Sequence, residues 1–402
     1  MSAPVCIMLV AGEASGDALG AGLARALKRR FGDRPVRFVG VGGEQMAREG
    51  IQSPFDYRQV TVLGFFEGLV AYRRIVARVR DTVALAQREK PDIAVLIDSW
   101  GYTLRVAQGL KQVDPSLPIV KYVAPQVWAS RPRRARTLAR TVDHLLSIHA
   151  FDGPYFEREG LVTTFVGNPA LARDLARADG TRLLAQLEGD PTDPILLVLP
   201  GSRRGEIERV APPFIQAMSR LKAERPNLRL VLPVAPTVAE RVKAAVAGLS
   251  YKIHLIEDDG LKYDAMKAAT VALACSGTVT TELALAGCPM VVGYRIGAIT
   301  YALLKPMIRT PYASLINIAA GAEIAPEFIQ GRCAGPILAA AVGQRLDDPA
   351  LCARQVAAQN AALEVMGRGL RDPSETAADA VLNLLRSRSA RLDLGNAPQV
   401  RG

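Results

Sequence analysis

The stretch VALACSGTVTTELALAGCPMVVG, residues 271–293, decides the fold class. A short apolar run leads into a small-residue turn at Ser276 and Gly277, an apolar-periodic helix begins at Thr278, and a second apolar run follows. That order predicts a strand, a turn, a helix and a strand. The turn and the start of the helix direct several backbone N–H groups toward one point above the sheet, which suits a phosphate. Glu282, one helical turn further along, offers a carboxylate to the hydroxyls of a sugar.

The rest of the chain decides between this interpretation and a purely structural one, because most strand–turn–helix units in α/β proteins bind nothing. Short apolar runs alternate with helical patterns from end to end, which is typical of parallel, doubly wound sheets. The runs predicted as strands are residues 5–10, 36–41, 93–97, 119–123, 144–148 and 164–166, followed by 195–199, 228–232, 252–256, 271–274 and 290–293. We therefore predict an α/β fold with two such sheets in tandem around a cleft.

The domain boundaries follow from the same pattern. A polar connector, EGDPTDP at residues 188–194, separates the two series of strands. From residue 334 onward the pattern is helical, and the last residues are charged and contain Gly and Pro. The sequence predicts domains at residues 1–185 and 194–350, C-terminal helices at 351–386 that pack back toward the first domain, and a flexible tail at 387–402.

Composition narrows the class of partner. The chain has 402 residues, 49% of them hydrophobic and only 5% aromatic, with a formal charge of +11. This charge favours an anionic partner. Because aromatic residues are scarce, nucleic acid is the least favoured of the anionic partners. We see no run of eighteen apolar residues and no secretory signal. The five cysteines are scattered without metal spacing: Cys6, Cys275, Cys288, Cys333 and Cys352. We therefore expect a reduced cytoplasmic protein with neither a metal nor a cofactor.

Carboxylates follow two strands of the first series. The motif GEASGD at residues 12–17 offers Glu13 and Asp17 to hydroxyls or a proton, although Asp17 as a helix N-cap is the alternative. Asp98 ends another strand, where it is positioned as a general base toward a hydroxyl nucleophile or as the cap of the next helix. His149, with Asp152, follows a further strand and is a second acid/base candidate, although a lone histidine is more often structural.

The second series carries another candidate anion site. In LPGSRRGE, residues 199–206, a strand leads into Gly201 and Ser202, and Arg203 stands at the start of a helix. Backbone N–H groups and a guanidinium could both meet a phosphate there. Asn317 offers a further polar contact from a loop. Two anion turns following strands of one sheet are less expected by chance than one.

Two basic stretches indicate a lipid partner. FFEGLVAYRRIVARVRDTV, residues 65–83, sets an apolar stripe with Phe65, Phe66 and Leu69 against arginines that include Arg73 and Arg74. Such a helix fits a membrane interface or acyl chains, and the alternative is a helix buried on its own sheet. WASRPRRARTLAR, residues 128–140, contains Trp128 and Arg131, and it is either a lipid-phosphate site or a solvated helix.

In this order and spacing the motifs resemble the lipid A disaccharide synthase family. The resemblance rests on GEASGD at 12–17, YVAPQVW at 122–128, LPGSR at 199–203 and SGTVTTELALAG at 276–287, and it spans roughly residues 5–385. It implies a GT-B fold, with two Rossmann-like domains around a cleft. The implied activity is the transfer, with inversion and without an obligatory metal, of a 2,3-diacylglucosamine unit from UDP to the 6-hydroxyl of a diacylglucosamine 1-phosphate. The implied place is the cytoplasmic face of the inner membrane.

The resemblance also implies roles for residues. Ser276, Thr278 and Glu282 would hold the UDP, and Arg203 and Asn317 its phosphates. Ser15 and Asp17 share a motif on the acceptor side, and the region of Phe65 would meet the anionic membrane surface. A homodimer is left open.

This chain departs from the family in the first domain. Where the family reads Asp-x-Pro-Asp-Phe, the chain has DSWGY at residues 98–102, so the second carboxylate is replaced by Gly101. Asn168 stands where a histidine is usual, and AFD at residues 150–152 replaces Pro-Phe-Glu. Asp98 is therefore the best remaining base, with Glu13 and His149 next. The alternatives are a related transferase with another lipid or sugar acceptor, and a UDP-sugar or lipid-binding paralogue with impaired catalysis.

Overall fold

A computed structural model describes residues 4–60, 68–172, 175 and 178–388 of the chain. The chain forms two compact units. Unit 1 runs to Pro169 and resumes at Leu370, and unit 2 comprises Ala170–Gly369. The chain therefore leaves unit 1 once and returns to it for its final helix.

Each unit contains one six-stranded, all-parallel sheet. The strands of unit 1 are β1 (Val5–Ala11), β2 (Val36–Val41), β3 (Ile93–Ile97), β4 (Ile119–Tyr122), β5 (His144–Ser147) and β6 (Thr163–Phe165). Those of unit 2 are β7 (Ile195–Leu199), β8 (Arg229–Pro233), β9 (His254–Ile256), β10 (Val271–Cys275), β11 (Met290–Tyr294) and β12 (Glu327–Ile329). Every predicted strand is present with small shifts at its ends, and β12 was missed because its three residues include a charged one.

The order of the strands creates a switch point in each sheet. Sheet 1 runs β2-β1-β3-β4-β5-β6, so the direction of connection reverses between β1 and β3. Sheet 2 runs β12-β11-β10-β7-β8-β9, which is the Rossmann order, and it reverses between β7 and β10. Ligands of doubly wound sheets bind beyond the carboxyl ends of the strands at such points. The expectation of an α/β fold with two Rossmann-like sheets is confirmed.

Helices connect the strands. In unit 1 they are α1 (Ala14–Phe31), α2 (Glu44–Arg48), α3 (Gly68–Glu89), α4 (Trp100–Val113), α5 (Arg133–Ala139) and α6 (Gly153–Glu157). In unit 2 they are α7 (Gly180–Leu184), α8 (Arg204–Glu224), α9 (Ala239–Val246), α10 (Asp259–Ala268), α11 (Thr278–Leu285), α12 (Ala298–Leu304), α13 (Leu315–Ala320), α14 (Gly335–Asp347) and α15 (Pro349–Val365); α16 (Pro373–Arg388) belongs to unit 1. Short 3₁₀ helices occupy Tyr57–Val60, Ala150–Asp152, Pro169–Ala172, Pro236–Val238, Lys305–Met307 and Gln330–Arg332. None of the helices in the described ranges combines the length and hydrophobicity that crossing a membrane requires.

Buried strands explain the apolar runs of the sequence. All seven residues of β1 are buried, and alternate side chains enter different cores because successive strand residues point to opposite faces. Ile7 and Leu9 join the core under α1 and α16, whereas Met8 and Val10 join the core under α3 and α4. The last helix, α16, packs back on α1, while α14 packs on α8 and α15 packs on α13 inside unit 2.

Candidate functional site

The switch point of unit 1 brings the ends of β1 and β3 into close contact. A Cβ atom on Gly12, which follows β1, would lie 2.8 Å from the Cβ of Ser99, which follows β3. A side chain at residue 12 would therefore push the two turns apart. Glycine at this place lets the GEASGD motif approach the turn that carries Asp98.

The turn at Asp98 has an unusual backbone conformation. Asp98 and Ser99 have φ angles of 51° and 40°, in the left-handed region that residues other than glycine rarely adopt. The Asp98 carboxylate accepts hydrogen bonds from the Ser99 N–H at 2.8 Å and from the Ser15 hydroxyl at 3.0 Å. The N-cap of α4 is Ser99, so Asp98 does not cap this helix as the alternative expected. Left-handed residues in succession cost free energy and cluster at functional sites, so the turn favours a functional role for Asp98.

A buried lysine lies beneath this turn. Lys121, on β4, is 3% exposed, and its ammonium donates to the backbone carbonyl of Asp98 and to the Thr103 hydroxyl at 2.9 Å. Burial lowers the pKa of Lys121 to about 7, and the charges of Asp98 and Glu13 oppose that decrease. Glu13 itself is half-buried at the N-cap position of α1. The structure thus groups Glu13, Ser15 and Asp98 as expected, and adds Lys121, whose only signal in the sequence is a lysine inside the apolar run IVKY.

Asp17 has a structural role instead of the expected ligand contact. It is 4% exposed, and its carboxylate accepts hydrogen bonds from the backbone N–H groups of Gly43, Gln45 and Met46 at 2.7 to 3.0 Å. These groups belong to the first turn of α2, so Asp17 caps a neighbouring helix and not its own. The sequence could not reveal this, because residues 43–46 come close only in the folded chain.

His149 is a weaker base than its position suggested. The side chain is 6% exposed and its ring stacks on Phe151 with the ring centres 5.0 Å apart. Burial lowers the pKa of His149 to about 4, no higher than that of an ordinary carboxyl group. Its carboxylate neighbour Asp152 does not pair with the ring among the described contacts. The predicted His149–Asp152 acid/base pair is therefore replaced by two separate structural groups.

Asp152 is tied to Trp128. The carboxylate of Asp152 accepts hydrogen bonds from the Trp128 indole N–H at 3.0 Å and the Ser147 hydroxyl at 2.7 Å. Burial raises the pKa of Asp152 to about 6, although both hydrogen bonds act in the opposite direction. Trp128 is 8% exposed and packs edge-on against Phe151. Trp128 thus belongs to the buried frame of this loop, and its predicted contact with lipid has no exposed ring face to support it.

Exposed arginines surround the same end of unit 1. Arg73 and Arg74 are exposed on α3, and Arg74 donates to the carbonyl of Gln59 at 3.0 Å. Arg131 is exposed before α5, and Arg134 stacks over Trp100 at 5.1 Å. Further along α3, Ile75, Val79 and Val83 pack against the core, which is the structural alternative for that part of the stripe. Phe65 and Phe66 lie outside the described residues, as does the side chain of Leu69.

In unit 2 a glutamate of α8 occupies the turn between β7 and that helix. Gly201 has a φ of 118°, and a Cβ there would lie 2.6 Å from the Glu206 carboxylate. Glu206 accepts hydrogen bonds from the N–H groups of Ser202 and Arg203 at 3.0 and 3.2 Å. The amides expected to meet a phosphate are therefore occupied by a carboxylate. What this turn presents is the Arg203 side chain, which is 83% exposed and 3.2 Å from Glu206.

The turn after β10 is more open. Ser276 is half-buried and donates to the carbonyl of Ala313 at 3.0 Å, whereas Gly277 and Thr278 are exposed. A Cβ on Gly277 would meet nothing within 4 Å, so there is space beside the start of α11. The first N–H groups of a helix have no partner within the helix. This turn therefore has room for an anion, and anion binding there stays a prediction.

Glu282 lies on α11 and is 4% exposed. Its carboxylate accepts a hydrogen bond from the Lys262 ammonium of α10 at 2.7 Å. This charge-assisted hydrogen bond fixes the direction of the carboxylate. The adjacent Thr281 hydroxyl is buried without a partner among the described residues. Lys262 was not identified from the sequence, because nothing in its local pattern connects it to Glu282.

Asn317 has a supporting role in place of the expected direct phosphate contact. The side chain is fully buried, and its amide donates to Ala325 and Glu327 and accepts from the N–H groups of Ile324 and Ala325, all within 3.0 Å. These four bonds use the hydrogen-bonding capacity of the amide. Asn317 thus fixes the segment that carries Ala313, the partner of Ser276.

Known proteins resemble the chain along most of its length. The family model for lipid-A-disaccharide synthetase matches residues 7–381. A lipid-A-disaccharide synthase from Rhodospirillum centenum is 39% identical over 395 residues, which covers 98% of each chain. One from Rhodopseudomonas palustris (strain HaA2) is 40% identical over 381 residues, covering 94% of this chain and 96% of its own.

Solved structures share the fold at low identity. A UDP-GlcNAc 2-epimerase from Neisseria meningitidis, bound to UDP-GlcNAc, has a TM-score of 0.55 and 12% identity, covering 96% of this chain and 100% of its own. The calicheamicin glycosyltransferase CalG4 has a TM-score of 0.57 and 16% identity, covering 96% and 99%. With two Rossmann-like units in tandem, the fold is of the GT-B type.

Proposed function

This chain belongs to the lipid-A-disaccharide synthetase family, and from that membership we propose that it moves a 2,3-diacylglucosamine unit from UDP to the 6-hydroxyl of a diacylglucosamine 1-phosphate. The family makes the protein a glycosyltransferase of lipid A biosynthesis. In the proposed reaction the 6-hydroxyl oxygen attacks the anomeric carbon with inversion, the bond from that carbon to the diphosphate breaks, and UDP leaves.

We assign the proton-accepting step to Asp98, and the geometry of its turn is the observation that carries this assignment. Each carboxylate oxygen accepts one described hydrogen bond, so acceptor capacity remains for the hydroxyl of a substrate. The strained backbone and the anchoring lysine hold this group in one direction, which suits a general base. Glu13, half-buried on the facing turn, is the second candidate. His149 ranks last because its ring is buried and stacked.

Unit 2 is the proposed donor site. The open turn after β10 and the start of α11 would receive the diphosphate through backbone N–H groups, with the Arg203 guanidinium as an additional charge. Negative charge grows on UDP as it leaves, so groups aimed at the diphosphate stabilise the transition state more than the bound donor. Glu282, held by Lys262, would accept hydrogen bonds from the ribose hydroxyls.

The basic end of unit 1 is the proposed membrane contact. Near α5 four exposed arginines make no described salt bridge: Arg131, Arg133, Arg136 and Arg140. Together with Arg73 and Arg74 they would attract an anionic inner-membrane surface, at about 1 kcal/mol per charge. A peripheral position on the cytoplasmic leaflet would bring the enzyme to substrates whose acyl chains remain in the bilayer.

The direct test is incubation of the purified protein with UDP-2,3-diacylglucosamine and diacylglucosamine 1-phosphate, followed by mass analysis. We expect a product whose mass equals that of donor plus acceptor minus UDP, together with one UDP released per product. Reactions with unacylated donor or acceptor serve as controls. UDP release without a disaccharide, or a disaccharide formed equally well from unacylated sugars, would contradict the proposal.

A further inference from the structure

Lys121 is an unusual residue for its position. It belongs to β4, where its neighbours across the sheet are Leu96 and Leu145, both fully buried in the core under α3 and α4. A charged lysine among such residues lowers stability unless its ammonium is well paired. The partners that it has all belong to the turn that follows β3 and the first turn of α4.

These contacts provide hydrogen-bond donors for the backbone carbonyl of Asp98. The N–H of Asp98 still donates to the Tyr122 carbonyl at 2.9 Å, as in a regular parallel ladder. The left-handed conformation then takes the chain away from the sheet, so the Asp98 carbonyl needs other donors. Lys121 and the Thr103 hydroxyl, the latter at 2.7 Å, supply them. A cationic donor strengthens this anchor because charge-assisted hydrogen bonds are about twice as strong as neutral ones.

The electrostatic surroundings point in the same direction. The charged groups that act on Lys121 are Asp98 from the end of β3 and Glu13 from the start of α1, and both favour its protonated form. The remaining contact, Thr103 of α4, is a neutral hydroxyl. A single buried cation is therefore shared by the two carboxylates proposed as candidates for the base.

We propose that Lys121 is the positioning residue of the catalytic turn: its buried ammonium holds the strained Asp98–Ser99 backbone in place and couples its own charge to the carboxylates above it. This inference rests on the proposed function of Asp98. It predicts that turnover needs protonated Lys121. The anchoring charge is present below about pH 7 and is lost as the pH rises through about 7, the value to which burial lowers the pKa of this lysine.

The test compares Lys121→Met with the wild type. Methionine keeps the length and the apolar stem and removes the charge and the donor. We expect kcat to fall by about tenfold to a hundredfold, as for a catalytic group displaced by a fraction of an ångström to about 1 Å, with the dissociation constant of UDP unchanged. The wild type should lose kcat above about pH 7, whereas Lys121→Met should lack this alkaline limb. Lys121→Gln, which keeps a neutral donor, should recover part of kcat and also lack the limb.

Lys111→Met is the matched control. Lys111 also donates to backbone carbonyls in unit 1, at Leu117 and Pro115, but it lies at the far end of α4 and contacts Asp143 instead of Asp98. The control should leave kcat and its pH profile unchanged. A kcat of Lys121→Met within twofold of the wild type, an unchanged alkaline limb, or failure of both Lys121 variants to fold would overturn the proposal.

A second readout needs no substrate. With carbon-13 in the lysine side chains, the signal that titrates near neutral pH and is missing from Lys121→Met belongs to Lys121. Asp98→Asn removes a charge that favours the ammonium, so the midpoint of that titration should move to lower pH. An unmoved midpoint would refute the coupling. If the wild type makes no disaccharide, the proposed function fails, and this titration still decides the role of Lys121.

Discussion

The two switch points use the same architecture for opposite chemistry. In unit 1 the turns after β1 and β3 gather Glu13, Ser15 and Asp98 above a buried lysine. In unit 2 the turn after β10 lies beside open space at Gly277, and the turn after β7 presents Arg203. The first group of residues suits a proton and a hydroxyl, and the second suits a diphosphate.

The two sites differ more in the burial of their lysines than in the types of residue they contain. In unit 2 the Lys262 ammonium pairs with the Glu282 carboxylate, whereas in unit 1 the Lys121 ammonium contacts the backbone carbonyl of Asp98. Lys121 is 3% exposed and has its pKa lowered to about 7, whereas the side chain of Lys262 is 25% exposed. Because burial lowers the pKa of Lys121 to about 7, we expect the Asp98 turn of unit 1 to respond to pH near neutrality.

The largest expected effect comes from Asp98→Asn, which separates the two sites most directly. The amide keeps the shape and cannot accept the proton, so kcat should fall by about a hundredfold to ten-thousandfold. Binding of UDP, which we assign to unit 2, should be unchanged in calorimetry. Asp92→Asn is the control, because Asp92 precedes β3 at the other end of the sheet and accepts from the Cys6 N–H. Equal loss in both variants would remove the assignment.

Asp152→Asn tests a fully buried carboxylate of unit 1. The pKa of Asp152 rises from 3.8 unfolded to about 6 folded, so the folded state holds the proton more tightly. Stability should therefore fall as the pH rises from about 4 to 6, by about 2 to 3 kcal/mol at 1.36 kcal/mol per pKa unit. The asparagine variant should lack this loss. Both tryptophans, Trp100 and Trp128, belong to unit 1, so their fluorescence during urea unfolding measures it. If the stabilities of the wild type and Asp152→Asn changed equally with pH, the raised pKa of Asp152 would be disproved.

Glu282→Gln tests the donor site. Because hydrogen bonds to a charged acceptor contribute about 1.5 to 3 kcal/mol, UDP should bind at least about tenfold more weakly. A UDP analogue without ribose hydroxyls should bind the wild type more weakly and show no additional loss with the variant. Glu224→Gln, at the exposed end of α8, is the matched control. If the analogue and UDP lose affinity equally in Glu282→Gln, the carboxylate does not contact the ribose.

Arg203→Ala should have the smallest effect. The guanidinium is 83% exposed, so its interaction with a diphosphate is screened, and UDP affinity should fall by about two- to threefold. The loss should shrink further at high salt. Arg204→Ala removes an adjacent exposed arginine that pairs with Glu208, and it should change nothing. Salt-independent loss in Arg203→Ala would place this residue in a more buried contact than the structure gives it.

Local patterns in the sequence were sufficient to predict both sheets and the turns that carry the candidate residues. Buried parallel strands are continuous apolar runs, so eleven of the twelve strands could be read directly, and β12 escaped because one of its only three residues, Glu327, is charged. Residues that directly follow neighbouring parallel strands meet at one edge of a sheet. For that reason Ser15 and Asp98 were expected on the same side and form a hydrogen bond.

The contacts that the polar residues of these turns make became known only from the tertiary structure. Asp17 caps α2, Asp152 holds Trp128, Glu206 occupies the amides after β7, and Asn317 is saturated inside its own loop. The partners of Asp17 are distant in the chain and leave no local pattern, and neither does the loss of water around a side chain. Lys121 is an example. Lysine is usually a surface residue, and only the folded chain reveals that this one is buried beneath the candidate base Asp98.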